Sequence, residues 1–145
     1  MKLVLPYPVS ANRYWRTVVN RKTGRAMTFV SKEAESYKEA ARLKALLAGI
    51  RKPLAGAVEL RFRLVPKNGI CMDLDNALKV SIDALKGIAF ADDSLVYRVL
   101  AEKCDPDPVG GARLEVEILT LALPTALLPE LPAKLEPREV EELPF

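Results

Sequence analysis

The stretch Asp73-Leu-Asp75-Asn76-Ala-Leu-Lys79-Val-Ser-Ile-Asp83 carries the residue types and spacings best suited to chemistry in this chain. Two carboxylates at i and i+2 in an extended segment project to the same side, and here they stand at a strand-to-helix junction. Brought together they repel, unless a proton or a cation sits between them, and a divalent metal meets that need. The backbone N–H groups of the helix start also favour anions there. Lys79 lies four residues beyond Asp75 on the same helix face, and Asp83 extends the row by another turn. Lys79 reads either as a surface ion pair with Asp75 or Asp83, worth only about 0.3–0.5 kcal/mol, or as a cation that meets a phosphate and stabilises developing charge. Asp75 reads as a helix N-cap, a metal ligand, or both. An EF-hand calcium loop is excluded, because its glycine and terminal glutamate are missing.

Asp92-Asp93 follows a turn after Gly87. The pair is either a polar turn before a strand or the source of a third carboxylate, Asp93. A helix from 75 to 87 carries the chain about 18 Å away. The segment from Gly87 to Asp93 returns at most about 20 Å when extended. Asp93 therefore meets Asp75 within one chain only if the segment doubles straight back; otherwise it meets the Asp pair of a second subunit.

The chain contains no histidine. This excludes His-based acid–base catalysis, Ser-His-Asp triads and HExxH zinc sites. A metal would be held by carboxylates, which favours Mg²⁺, with Mn²⁺ as a substitute. The two cysteines, Cys71 and Cys104, lack CxxC spacing and read as free thiols. Residues 1–52 carry 12 Lys/Arg against 3 Asp/Glu, whereas residues 53–119 carry 8 against 11. A basic first third beside an acidic middle suits a phosphate-binding face next to a metal site, although a solvated helix face has the same composition. The short apolar N-terminus stops at Pro6, and no apolar run approaches the roughly 20 residues that span a bilayer. The expectation is a cytoplasmic protein without membrane contact.

The elements that must position these residues follow from periodicity. Residues 2–5 read as a short strand ended by Pro6 and Pro8. Residues 6–27 read as a basic loop with room for a hairpin, Asn20–Gly24 at its tip and Met27–Val30 as a short strand. Ser31 caps a helix over 32–48 on which Tyr37, Ala41, Lys44 and Ala48 fall together. Residues 57–65 alternate as a half-buried strand, with Glu59, Arg61 and Arg63 pointing away from the core. A second helix covers about 75–86, with Leu78, Ile82 and Leu85 as its apolar stripe. Strands at 95–103 and 112–119 are expected to pair as an antiparallel hairpin. Together these give an α+β domain, a small mixed β-sheet of about four to five strands with two main helices. Residues 120–145, rich in Pro, Leu and Glu, read as an appendage that is flexible, packed on the body or docked on a partner.

The segment Asp73–Val96 resembles the RusA family of Holliday junction resolvases, whose pattern is D-L-D-N-x-x-K, then D-A-L, then an Asp-Asp pair. Leu5-Pro-Tyr-Pro-Val-Ser-Ala-Asn-Arg-Tyr-Trp-Arg16 is similar to the family's L-P-x-P-x-S-x-N-R-x-x-R, and Ser31–Tyr37 to its next segment. The resemblance covers residues 1–119 as a RusA-like nuclease domain. It implies a homodimeric, Mg²⁺-dependent crossover junction endodeoxyribonuclease that cuts four-way DNA by paired symmetric nicks. It assigns Asp73, Asp75 and Asp93 as metal-binding catalytic carboxylates and Lys79 as the catalytic lysine. Asn12, Arg13 and Arg16 become DNA-contacting or site-supporting residues, with loop capping the plain alternative for Asn12. Where some members carry a basic cluster before the first Asp, this chain has Lys67-Asn-Gly-Ile-Cys-Met72, with a single charge. Trp15, Tyr7 and Tyr14 read as base-stacking platforms or as core and dimer contacts. Two rivals share the sequence: a nuclease for other branched or flap DNA, and an inactive junction-binding protein. Clustered carboxylates speak against the second, because binding DNA needs positive charge.

Overall fold

The computed structural model describes residues 1–122. In chain order its elements are β1 (Lys2–Leu5), α1 (Ala11–Tyr14), β2 (Trp15–Val19), β3 (Ala26–Val30), α2 (Lys32–Leu47), β4 (Val58–Val65), α3 (Leu74–Leu85), a 3-10 turn (Asp93–Leu95), β5 (Val96–Lys103) and β6 (Arg113–Thr120). Four strands form one mixed sheet in the order β1-β6-β4-β5, and β2 and β3 form a separate hairpin. The α+β expectation holds. The expected appendage over 120–145 lies, from residue 123 onward, outside the described residues, and Thr120 closes β6.

Alternation explains the sheet. Val58, Leu60, Phe62 and Leu64 of β4 are buried, as are Leu3 and Leu5 of β1 and Leu114, Val116 and Ile118 of β6. Pairing puts them in rows, Phe62 opposite Val116 and Leu64 opposite Leu114, with Leu3 and Leu5 beyond. Helices α2 and α3 cover this core, with Tyr14, Ile50, Ala89 and Phe90 added from α1 and the loops. Their buried residues are small: Ala34, Ala41 and Ala45 beside Tyr37 on α2, and Ala77, Ser81 and Ala84 beside Val80 and Leu85 on α3. Small side chains let two helices approach closely. This corrects both expected stripes. Lys44 and Ala48 face solvent, with Ala34 and Ala45 inside in their place, while Leu78 and Ile82 flank the buried face of α3 half-exposed.

The outer face of the sheet carries charge. Arg61 and Arg63 are exposed as expected, but Glu59 is buried. Its carboxylate accepts from Arg61 Nε at 2.6 Å and Arg98 Nη1 at 2.9 Å, bonds that hold it below the usual carboxylate range. Arg63 in turn reaches Glu102 and Glu115.

The expected hairpin of residues 95–103 with 112–119 is not formed. β4 lies between the two strands, parallel to β5 and antiparallel to β6. Adjacent parallel strands need a crossover of a dozen or more residues, and α3 with its flanking loops provides it. The segment 104–112 then passes the end of β4, its turn held by Asp107, which accepts from the amides of Val109 and Gly110 at 3.0 Å.

The basic stretch after β1 is more ordered than a loop. Ser10 caps the one-turn α1, and β2 and β3 pair from Trp15–Val30 to Val19–Ala26 around a turn closed by Gly24 at φ 68°. Ser31 caps α2, its hydroxyl accepting from the amide of Ala34 at 3.2 Å inside the core. Ser31→Ala should lower stability by about 1 kcal/mol. A shifted urea midpoint with an unchanged slope would register it.

Candidate active site

α3 begins where β4 has delivered the chain to one end of the sheet. Asp73 occupies the N-cap position, but its side chain makes no capping bond, and Asp75 lies in the first turn. The helix starts one residue earlier than its periodicity predicts, so Asp73 rather than Asp75 stands at the cap. Neither carboxylate is consumed by capping. Asp73 is largely exposed, with Lys103 Nζ, at the end of β5, 3.9 Å away.

With no side-chain cap, the approach to α3 is fixed from elsewhere. The Tyr7 hydroxyl accepts from the amide of Met72 at 3.1 Å and contacts Cys71 Sγ at 3.8 Å. Burial raises the Tyr7 phenol. Tyr7 stands between Pro6 and Pro8, and Tyr37 of α2 donates to the Pro6 carbonyl at 3.0 Å. Burial pushes the Tyr37 phenol up to about 12. A chain of contacts thus ties α2, the Pro-Tyr-Pro loop and the segment leading into Asp73. Cys71 and Cys104 are both free thiols.

Farther along α3, Lys79 and Asp83 line a cavity of about 220 Å³ together with Ala11, Tyr14, Trp15, Val80, Ile82 and Asp93. Among the described residues Lys79 has no ion pair. Asp83 accepts a short hydrogen bond from the Tyr14 hydroxyl and pairs with Lys38 Nζ of α2 at 3.0 Å. Burial, with the charge of Asp93 added, raises the Asp83 carboxyl above its ordinary range against the pull of Lys86.

Asp93 reaches this cavity because the chain turns at Gly87, φ 77°, and buries Ala89 and Phe90 before it enters β5. Lys86 Nζ lies 3.3 Å from Asp92 and 3.6 Å from Asp93. Asp92 also accepts from the Ser94 hydroxyl at 2.6 Å. The polar-turn reading thus describes Asp92, and Asp93 is the member of the pair that faces the cavity.

The candidate residues therefore fall into two groups. Asp73 and Asp75 mark the start of α3, whereas Asp93 joins Lys79 and Asp83 along its flank. Among the described residues no three carboxylate or thiol side chains gather as a metal-holding group. Asn12, Arg13 and Arg16 are exposed, on α1 and the root of the hairpin. Ser10, not Asn12, supplies the loop's cap. Trp15 is half-exposed beside the cavity, while Tyr14 is in the core. Sequence reasoning missed the Tyr14–Asp83–Lys38 cluster. Its only sequence signal is a polar residue, Asp83, on the otherwise packed side of α3.

The family model for "Endodeoxyribonuclease RusA" matches residues 6–119. The chain belongs to the RusA family. It is 34% identical over 122 residues to crossover junction endodeoxyribonuclease RusA of Escherichia coli O139:H28 (strain E24377A / ETEC), covering 82% of this chain and 93% of that protein. It is 36% identical over 121 residues to the enzyme of that name from Enterobacteria phage 82, covering 80% and 91%. The RusA match spans every element of the fold but β1 and the last residue of β6. It makes the chain an endodeoxyribonuclease by family, and no described helix is long and apolar enough to cross a membrane.

Two outcomes follow from this geometry. Tyr7→Phe removes the acceptor of the Met72 amide, so stability should fall by about 1 kcal/mol and hydrogen exchange at Met72 should quicken. Asp92 is held at about 2, below its ordinary 3.8, by the hydrogen bonds from Ser94 and Lys86. A depressed carboxyl stabilises the fold above its unfolded value and loses that contribution as pH falls through its folded one. Ser94→Ala should therefore lower the melting temperature at neutral pH, and the deficit should vanish between about pH 4 and pH 2.

Proposed function

We propose that this chain is a Mg²⁺-dependent resolvase that cuts four-way DNA junctions by paired, symmetric hydrolysis, working as a homodimer whose active sites are shared between subunits. The carrying observation is the helix start. Asp73 and Asp75 spend no carboxylate on a capping bond, and Lys79, one turn after Asp75, has no ion pair among the described residues, in a chain whose relatives are named crossover junction endodeoxyribonucleases.

An all-oxygen set of Asp73, Asp75 and Asp93 suits a hard divalent ion. Asp73, Asp75 and Asp93 do not gather as one group among the described residues of a single subunit, so Asp93 would come from the partner. When bound, the ion would supply charge neutralisation at the phosphate and activation of water. The chain's own residues do the remaining work. Asp73 and Asp75 would hold the ion. Lys79, one turn on, points its ammonium at the same phosphate and stabilises the charge that builds there. Tyr7 keeps the approach to Asp73 in register. Arg13 and Arg16, with Arg21, Lys22 and Arg25 at the hairpin tip, lie exposed for DNA phosphates and would make affinity salt-sensitive.

Two features support the dimer. An isolated two-stranded hairpin is at best marginally stable in water, and this one exposes Trp15, Val18, Val19, Met27 and Phe29. Its root carries Trp15 beside the Asp93 cavity, so an apolar contact there adjoins the place a partner's Asp73 and Asp75 must reach. A two-fold dimer matches the symmetry of a four-way junction.

A synthetic four-way junction, with linear duplex and flap controls, should be nicked in pairs with Mg²⁺ and not with EDTA. Equal cutting of flaps would overturn the substrate, and tight binding without cutting would leave a binding protein. Asp75→Asn and Asp93→Asn should each abolish cutting. Mixed and allowed to exchange subunits, they should recover single nicks, since one of the two shared sites is then intact. No recovery would show that Asp93 does not act from the partner.

A further inference from the structure

Lys79 has a carboxylate four residues away on either side, yet it pairs with neither Asp75 nor Asp83 among the described residues. For Asp83 the structure gives a reason. Its carboxylate is engaged by two groups on two other elements. The Tyr14 hydroxyl, at the end of α1, donates to Oδ2, and Lys38 Nζ of α2 lies 3.0 Å from the same oxygen. Lys38 Nζ also stands 5.5 Å over the centre of the Tyr14 ring, so phenol, ammonium and carboxylate close a triangle. Tyr14 is only 3% exposed, and its carbonyl accepts from the Ser31 amide at 2.8 Å, next to the cap of α2. The triangle is thus built on fixed backbone, while Lys79 and Asp83 line one cavity.

We propose that Tyr14 and Lys38 are positioning residues that hold Asp83 away from Lys79, keeping the Lys79 ammonium open to a substrate phosphate. The inference rests on the reading of Lys79 as the phosphate-contacting cation. Released from its two partners, Asp83 is a carboxylate one turn from Lys79, at a spacing where opposite charges on a helix pair. A phosphate would then have to displace an internal anion to reach the lysine. Asp93 and Lys86 also face this region, but they pair with each other at 3.6 Å and leave Lys79 alone. Tyr14 and Lys38 touch no reacting atom in this scheme; they act through Asp83.

The test is a cycle on single-turnover cleavage of a labelled four-way junction in Mg²⁺, with the full chain. Tyr14→Phe combined with Lys38→Met should slow cleavage about tenfold. In an Asp83→Asn background the same two substitutions should change the rate less than about twofold, because no anion remains to capture Lys79. A cluster that merely ties α2 to α3 would lose as much in either background, and that result overturns the proposal. So does parent-like cleavage by the double variant. If the double variant melts early, Lys38→Met alone, at a half-exposed position, carries the cycle with the same requirement of rescue. Lys79→Ala runs in parallel. Near-complete loss in Lys79→Ala, together with no rescue of the Tyr14→Phe/Lys38→Met variant by Asp83→Asn, sinks only this inference. Parent-like cleavage by Lys79→Ala sinks the reading of the site and this inference with it.

Discussion

The parallel pairing of β4 with β5 decides where every candidate residue can stand. Val58 lies opposite Val96 and Leu64 opposite Lys103, so both strands run the same way. The chain must therefore return along α3 before β5 begins. Asp73 and Asp75 mark the end where β4 finishes, and the short distance from Asp73 to Lys103 confirms that β5 finishes there too. Asp93 marks the end where β5 starts. Asp93 lines one cavity with Lys79 and Asp83, and among the described residues no three carboxylates gather there or at the helix start. Within one subunit the topology distributes the acidic residues that the chain encodes within about twenty positions of each other.

The local elements were legible because each is written in a single period. The alternation of Val58 to Val65, the Ser31 cap and the start of α3 all appear within a residue or so of their expected places. Pairing was less legible. Two strands joined by a Pro- and Gly-rich segment look like a hairpin, and nothing local in residues 95–120 reveals that β4 inserts between them. Of the expected α3 stripe Leu85 is buried, while Leu78 and Ile82 stand one position off the buried face, because large Leu and Ile residues dominate a hydropathy reading. Close helix packing instead selected Ala77, Ser81 and Ala84. The same bias hid the buried Glu59, whose two guanidinium partners lie on different strands. At the site, spacing placed Asp75 and Lys79 on one helix with Asp73 beside its start, as the fold has them. The Tyr14 and Lys38 contacts to Asp83 join positions up to 69 residues apart and leave no mark on spacing.

The distribution of charge follows from the same architecture. The open face of the sheet, facing away from α2 and α3, largely neutralises itself through Arg61, Arg63 and Arg98 with Glu59, Glu102, Glu115 and Glu117. The excess of positive charge is left on α1, the hairpin and α2. Asp92 and Asp93 share the Lys86 cation, and Asp73 and Asp75 lie at the start of α3. A basic approach that ends in a small acidic locus favours a phosphate along most of its path. It needs a cation only at the point of reaction.

Splitting a carboxylate set between subunits also has a thermodynamic consequence under the proposed reading. Three unprotonated carboxylates held together without an ion repel one another, and a single chain that gathered them would lose stability in the metal-free state. Here the monomer avoids that strain, because Asp93 is matched by Lys86 and Asp73 is left in solvent. The repulsion arises only when two subunits meet, and the ion that relieves it binds the dimer alone. Anything that binds only the associated state shifts association by mass action. Metal and partner then favour each other's binding, and the cutting centre is assembled only when both are present. The exposed hairpin supplies the apolar contact that must outweigh the remaining repulsion.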